Sequence, residues 1–296
     1  VRWLAMKTIL HLSDMHFGEH EPAIVAAVEE HLDRTEADYC VLAGDFTQWA
    51  SDKEFELAAA WTEKIRERGH KVMAVPGNHD VPSINLFERV FNPDGQWEEW
   101  MGEDKCPWFE DDGMAMLGLN TARGLVIKNG EIDAEQIAHM KEKFAGASDD
   151  ALRVLVVHHP MFELPRGDER SDAIKNQEAA VSATDDAGVD LILSGHNHTS
   201  SVHRTLDLPK GDGSALVIQA GTAFSTRIRT EPPSFNIIRA NRFDCSVKVL
   251  GWDGDHYVDR RQHRFVRDDD EAHWQPTDAS AAEVIANVAK ASENAD

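Results

Sequence analysis

The chain has 296 residues, of which 53 are Asp or Glu and 30 are Lys or Arg, giving a formal charge of −23, with 42% hydrophobic and 28% charged residues. That composition belongs to a globular chain with a sizeable core and excludes disorder throughout or collagen-like repeats; the acidity argues against long nucleic acid as a partner, since such binding rests on Lys and Arg neutralising phosphates, and leaves small phosphorylated molecules open. No apolar stretch approaches the roughly 20 residues needed to cross a bilayer, and Cys40, Cys106 and Cys245 are far apart and outside any Cys-x-x-Cys pattern, so no membrane span, no secretory leader and a reducing, cytoplasmic setting are expected.

Lys7–Leu12 reads as a buried strand ending at Ser13-Asp14-Met15-His16. Pro22 opens a helix to about Arg34, with Ile24, Val25, Val28 and Leu32 on one face. Tyr39–Ala43 is a second strand, ending at Gly44-Asp45, and a helix from about Asp52 to Arg68 is closed by Gly69. A third strand, Lys71–Val75, ends at Pro76-Gly77-Asn78-His79-Asp80. Asp14 to Asp45 is 31 positions and Asp45 to Asn78 is 33, close to the roughly 30 residues of a βαβ unit. Parallel strands then deliver their C-terminal ends to one edge, where ligands bind in open α/β sheets.

Further along, Ile84–Val90 reads as helical, an aromatic-rich segment surrounds Trp97, Trp100 and Trp108, and Met114–Asn120 is strand-like. A helix over Ala134–Phe144 precedes a strand over Arg153–Val157, which ends at His158-His159-Pro160. A helix over Asp172–Asp186 and a strand over Val189–Leu193 lead to Gly195-His196-Asn197-His198. Ser201 to Phe265 is β-rich, with strands expected at Leu216–Ala220, Phe235–Arg239, Cys245–Trp252 and Tyr257–Phe265. Asp268–Glu271 is a short acidic run, and Ser280–Ala291 has the composition of a terminal helix. One domain is expected over 1–266, followed by an acidic C-terminal extension, 267–296, partly helical or disordered.

Five motifs, Asp14-x-His16, Gly44-Asp45, Gly77-Asn78-His79-Asp80, His158-His159-Pro160 and Gly195-His196-Asn197-His198, each close a strand. They supply carboxylates, imidazoles and an amide oxygen, with no cysteine. Such donors suit Mn²⁺, Fe or Zn²⁺ rather than a thiolate site. Any one of these histidines alone reads as a core or surface residue. Gathered at one sheet edge, unpaired Asp and His would be costly to desolvate, and a neutralising cation is the economical explanation.

These motifs resemble the calcineurin-like metallophosphoesterase superfamily. Leu12-Ser13-Asp14-Met15-His16-Phe17-Gly18, Ala43-Gly44-Asp45-Phe46-Thr47-Gln48 and Val75-Pro76-Gly77-Asn78-His79-Asp80 are similar to its cyclic-nucleotide and glycerophosphodiester phosphodiesterase branch. The resemblance implies an α/β (α+β) fold, a four-layer αββα sandwich of two mixed β-sheets flanked by helices. It also implies two divalent or transition metal ions (Mn²⁺, Fe²⁺/Fe³⁺ or Zn²⁺), one held by Asp14, His16, Asp45 and His198 and the other by Asp45, Asn78, His158 and His196, with Asp45 bridging. His158 is the expected ligand because it lies two positions before Pro160, which leaves His159 outside the ligand set or facing substrate. His79 is expected to protonate the leaving alkoxide or stabilise transition-state charge, and Asp80 to orient its ring or cap the loop. Arg227 and Arg229 are expected to steer the substrate phosphate. The aromatic residues Phe87, Phe91, Trp97, Trp100 and Trp108 read either as a wall over the cleft or as the core of a helical layer.

A charge count connects the donors to phosphate. Two divalent ions, less Asp14, Asp45 and a bridging hydroxide, leave the site near +1, matched to a phosphodiester monoanion, and such ion pairs sit roughly 3.5–4 Å apart and activate the bridging water as nucleophile. The expected function is hydrolysis of a phosphodiester in a small molecule such as a cyclic nucleotide or glycerophosphodiester. A phosphomonoesterase or nucleotide pyrophosphatase is the alternative, and a non-catalytic interaction module or a nuclease stands behind both. Self-association is left open.

Overall fold

The computed structural model describes residues 4–82, 86–124, 129–166, 169–170, 173–211, 213, 215–227, 231–267 and 273–277. The first half runs β1 (Lys7–Leu12), α1 (Pro22–Arg34), β2 (Tyr39–Ala43), α2 (Asp52–Glu67), β3 (Lys71–Val75), α3 (Leu86–Phe91), α4 (Gly95–Met101), β4 (Trp108–Asp111), β5 (Met114–Gly118) and α5 (Ala134–Gly146). It continues through β6 (Leu152–Val156), the short pair β7 (Pro165–Arg166) and β8 (Glu169–Arg170), α6 (Gln177–Asp186), β9 (Leu191–Ser194), β10 (Ser201–Arg204) and β11 (Leu216–Gln219). Four strands end the order: β12 (Ser234–Ala240), β13 (Asp244–Trp252), β14 (Tyr257–Val266) and β15 (Gln275–Pro276).

Period-two alternation in the central strands builds the layers. Ile9, Val41, Met116, Leu191 and Leu193 face a core shared by the two sheets. Their neighbours turn outward: Leu10 and Leu42 pack with Val28, Phe55 and Trp61 of α1 and α2, and Leu117 and Ile192 pack with Phe144 and Val181 of α5 and α6. One sheet has the order β15-β14-β13-β12-β1-β2-β3 and the other β10-β11-β9-β6-β5-β4. Both are mixed: β1, β2 and β3 are parallel while β12 joins β1 antiparallel, and β5, β6, β9 and β11 are parallel with antiparallel β4 and β10 at the rims. The expected sandwich of two mixed sheets flanked by helices is therefore borne out. No helix among the described residues is long and apolar enough to cross a membrane.

The parallel strands of both sheets end on the same side, which carries the five motif loops. The loop after β2 is pinned by helix capping: Ser51 Oγ accepts Glu54 N–H at 3.4 Å, and Glu54 Oε2 accepts Trp49 N–H at 2.9 Å and Ser51 N–H at 3.1 Å. These bonds fix the chain immediately downstream of Asp45.

Three regions differ from expectation. The aromatic residues do not form one cluster: Trp97 is buried edge-on to Phe46 and Trp108 packs on Phe144 in the opposite helical layer, while Phe87 and Phe91 stack together at the surface. Trp108–Asp111 is a rim strand, not merely an aromatic segment. Of the C-terminal extension, residues 273–277 return to the first sheet, where β15 pairs with β14 and Trp274 is buried. The acidic run Asp268–Glu271 and the stretch Ser280–Ala291 lie outside the described residues.

Leu193 is fully buried between the sheets on the strand that leads to Gly195-His196-Asn197-His198. Leu193→Ala is expected to destabilise the protein by roughly 2–5 kcal/mol, measured by urea denaturation. A change below about 1 kcal/mol would contradict tight packing of the inter-sheet core.

Candidate metal centre

Strand ends present the donors, and the backbone is bent to aim them. Asp14, His16, Asp45, His196 and His198 all have left-handed φ angles, between 45° and 73°. That conformation costs a non-glycine residue roughly 1–2 kcal/mol and marks functional constraint. Glycines make room for the approach. Gly44, at φ 88°, lies so close to His158 that a Cβ would stand 2.5 Å from its Nδ1. A Cβ at Gly195 would stand 2.7 Å from Asp14 Oδ2.

Backbone carbonyls orient the imidazoles. His16 Nδ1 donates to Thr47 O at 3.2 Å, His158 Nδ1 to Ala43 O at 2.7 Å, and His198 Nδ1 to Arg227 O at 2.9 Å. With the proton assigned to Nδ1 by these bonds, each ring turns Nε2 into the site. Two groups result. His16 Nε2 and His198 Nε2 lie 3.2 Å apart. Asp14 Oδ1 is 3.2 Å from His198 Nε2 and 3.8 Å from His16 Nε2. Asp45 Oδ2 is 3.7 Å from His16 Nε2. In the second group, that same oxygen is 3.3 Å from His158 Nε2, and His196 Nδ1 is 3.3 Å from His158 Nε2 and 3.0 Å from Asn78 Oδ1. One carboxylate oxygen thus belongs to both groups.

The Nε2 lone pairs of His16 and His198, facing one another at 3.2 Å, repel unless positive charge lies between them. Asp14 Oδ1 is buried with no aligned hydrogen bond among the described residues, and leaving such an atom unpaired costs on the order of 1–3 kcal/mol or more. A cation relieves both problems. The oxygen and nitrogen donors fit the borderline and hard metals expected from the motifs. Carbonyls behind the ring nitrogens are the usual support for ligating histidines.

Electrostatics point the same way. Burial raises the Asp45 carboxyl, but His158 first and then His79 and His16 outweigh it and hold the group well below the carboxylate range. Burial lowers His158, yet Asp45 and then Asp14 push it up to about 9. Without a metal, a proton on His158 supplies part of the charge the carboxylates require.

The other expected residues sit around this core. His79 N–H donates to Asp45 Oδ1 at 2.8 Å, its Nδ1 donates to Gln48 O at 2.8 Å, and its ring meets His16 edge-on at 4.8 Å. Arg227 Nη1 reaches His79 Nε2 at 3.0 Å and Gln48 Oε1 at 3.2 Å. Arg229 lies outside the described residues. His159 is buried beside His196, with ring centroids 4.8 Å apart and Nδ1 2.8 Å from Thr121 Oγ1; its Nε2 has no hydrogen-bond partner among the described residues. Of the two readings of Asp80, its bonds follow the loop-capping one rather than the one in which it orients His79. Its carboxylate instead accepts Phe46 N–H at 3.2 Å, Thr47 N–H at 2.9 Å and Gly77 N–H at 2.8 Å, tying the Asp45 and Asn78 loops together. Sequence reasoning missed Thr47 and Gln48, whose backbone carbonyls, a kind of acceptor any residue type could supply, orient His16 and His79.

A family model described as calcineurin-like phosphoesterase matches residues 7–200, which is the span carrying every motif just placed. The chain belongs to the calcineurin-like phosphoesterase family. Among curated proteins it is similar to a probable cyclic nucleotide phosphodiesterase from Synechococcus sp., with 27% identity over 180 residues, 60% of this chain. The match spans 64% of that relative's length. Among solved structures, a purple acid phosphatase from yellow lupin (Lupinus luteus) seeds superimposes with TM-score 0.64 at 11% identity, covering 90% of this chain and 55% of the phosphatase. Vacuolar Protein Sorting 29 from Cryptosporidium parvum superimposes with TM-score 0.50 at 15% identity, covering 89% of this chain and all of that one. At these identities the structural likenesses speak for the calcineurin-like fold.

Two outcomes are expected of the centre. A ligating imidazole must give up its proton, so titrating metal-free protein with Mn²⁺ or Zn²⁺ near pH 7 should release a proton from His158. Affinity should strengthen as pH rises towards 9; calorimetry in buffers of different ionisation enthalpy measures both, and an affinity unchanged between pH 6 and pH 8 contradicts the assignment. Asp80→Ala frees the Asp45 and Asn78 loops together, and metal affinity should fall at least about tenfold. Unaltered affinity in equilibrium dialysis would show that the Asp80 bonds do not support the donors.

Proposed function

We propose that the chain is a two-metal phosphodiesterase acting on a small molecule such as a cyclic nucleotide or glycerophosphodiester. The observation that carries this reading is the pair of donor groups sharing Asp45 Oδ2, 3.7 Å from His16 Nε2 and 3.3 Å from His158 Nε2. Asp14, His16, Asp45 and His198 would hold one ion, and Asp45, Asn78, His158 and His196 the other. When bound, the ions supply Lewis-acid activation of water and neutralise the phosphate.

The protein's own residues do the rest. His79 is fixed through Nδ1 by Gln48 O and through its backbone N–H by Asp45 Oδ1, so Nε2 is the nitrogen available to a leaving oxygen. Once Arg227 gives up its bond to Nε2, that nitrogen is placed to pass a proton to the departing alkoxide. Arg227 lies beside it and draws in the phosphate. His159, buried next to His196, keeps Nε2 for a substrate oxygen or a bridging water. Cys40, Cys106 and Cys245 are unpaired, which supports placement in a reducing compartment, the cytoplasm. The probable activity named for the Synechococcus relative favours a cyclic nucleotide among the diesters.

Arg227 also gives weight to a second reading, a phosphomonoesterase or nucleotide pyrophosphatase, because a dianion needs positive charge beyond that of the two ions. Assays of Mn²⁺-supplemented protein with bis-p-nitrophenyl phosphate and p-nitrophenyl phosphate separate the two. The diester is expected to give the higher kcat/KM; preference for the monoester would establish the second reading, and inertness to both would sink each. His79→Ala is expected to retain both metals and lose on the order of 10²-fold or more in kcat. Metal loss in that variant would assign His79 to holding the centre instead.

A further inference from the structure

We infer that Gln48 positions Arg227 to receive the substrate phosphate, a role that deepens the proposed reading and rests on it for the class of ligand. Arg227 Nη1 carries two N–H groups, and both have acceptors within reach: Gln48 Oε1 at 3.2 Å and His79 Nε2 at 3.0 Å. Arg227 Nε and Nη2 have no hydrogen-bond acceptor among the described residues. Three donors of the guanidinium fork therefore meet no acceptor among the described residues. That edge matches two oxygens of a phosphate.

The anchor is built rather than incidental. Gln48 is only 6% exposed. Its backbone N–H donates to Phe17 O at 3.1 Å and its carbonyl accepts His79 Nδ1 at 2.8 Å, so the side chain starts from a fixed point. Since arginine offers donors only, the amide must present Oε1 to it. Arg227 is fixed from its own side as well: its N–H donates to Ser225 Oγ at 3.0 Å and its carbonyl accepts His198 Nδ1 at 2.9 Å. When His79 Nε2 turns to the leaving oxygen, Arg227 loses one of its two holds. Gln48 Oε1 is the hold that remains, keeping the fork aimed while the reaction proceeds.

The test uses Mn²⁺-loaded wild type, Gln48→Met, Arg227→Met and the double variant. Calorimetry gives Kd for inorganic phosphate, elemental analysis gives metal stoichiometry, and bis-p-nitrophenyl phosphate gives KM and kcat. Each single substitution should weaken phosphate binding about tenfold, the double should be no weaker than Arg227→Met alone, and metal content should stay at the wild-type value. KM should rise by more than kcat falls. Wild-type phosphate affinity in Gln48→Met, a further loss in the Arg227→Met background, loss of metal, or no phosphate binding by wild type would each overturn the inference. Gln48→Leu repeats the measurement with another apolar shape should the Met variant fail to fold. If wild type binds phosphate but hydrolyses neither ester, the hydrolase reading fails while the phosphate data still decide the role of Gln48.

Discussion

Histidine ring nitrogens rest 3.2–3.3 Å apart around buried carboxylates, an arrangement that requires positive charge among them, and this constraint organises the site end of the fold. Asp45 sits at its centre because a single oxygen faces both groups. The other carboxylate oxygen is occupied by His79 N–H, so the shared oxygen cannot turn away without breaking that bond. Mutual repulsion among the donors would open the loops if the surrounding structure did not hold them closed.

The sandwich provides that restraint. Apolar strands buried on both faces are rigid, and their ends bring Asp14, Asp45, Asn78, His158, His196 and His198 to one side from both sheets. Loop bonds then cross between the sheets: Asp14 Oδ2 accepts His196 N–H at 2.9 Å, and His158 Nδ1 donates to Ala43 O. The second sheet's histidines are thereby registered against the first sheet's carboxylates. Backbone strain at five donors is tolerable because cores on both faces of each sheet hold the strands that carry them.

Much of this was legible in the sequence for a physical reason. The first three strands are largely apolar and run into Ser13-Asp14, Gly44-Asp45 and Pro76-Gly77-Asn78, so composition changes where the structure does, and their bounds match those observed. The donors stood out because polar residues at the ends of buried strands have no structural need to be there. What was illegible depends on backbone atoms or on tertiary choice. Thr47 and Gln48 support His16 and His79 through carbonyls, which carry no residue signature. Asp80 could have faced His79 or the loop amides, and only the fold decides. Trp97 and Trp108 are close in sequence yet enter different layers, since β4 lies at the rim of the second sheet while α4 packs against α2. Trp274 shows the same limit, a buried side chain within a segment whose neighbours read as a solvated tail.

Anomalous diffraction from crystals grown with Mn²⁺ would reveal whether one carboxylate divides a pair of cations. Two anomalous peaks per chain are expected, one on each side of the Asp45 carboxylate, one bordered by Asp14, His16 and His198 and the other by Asn78, His158 and His196. A single peak, or none at saturating Mn²⁺, would contradict the two-cation centre.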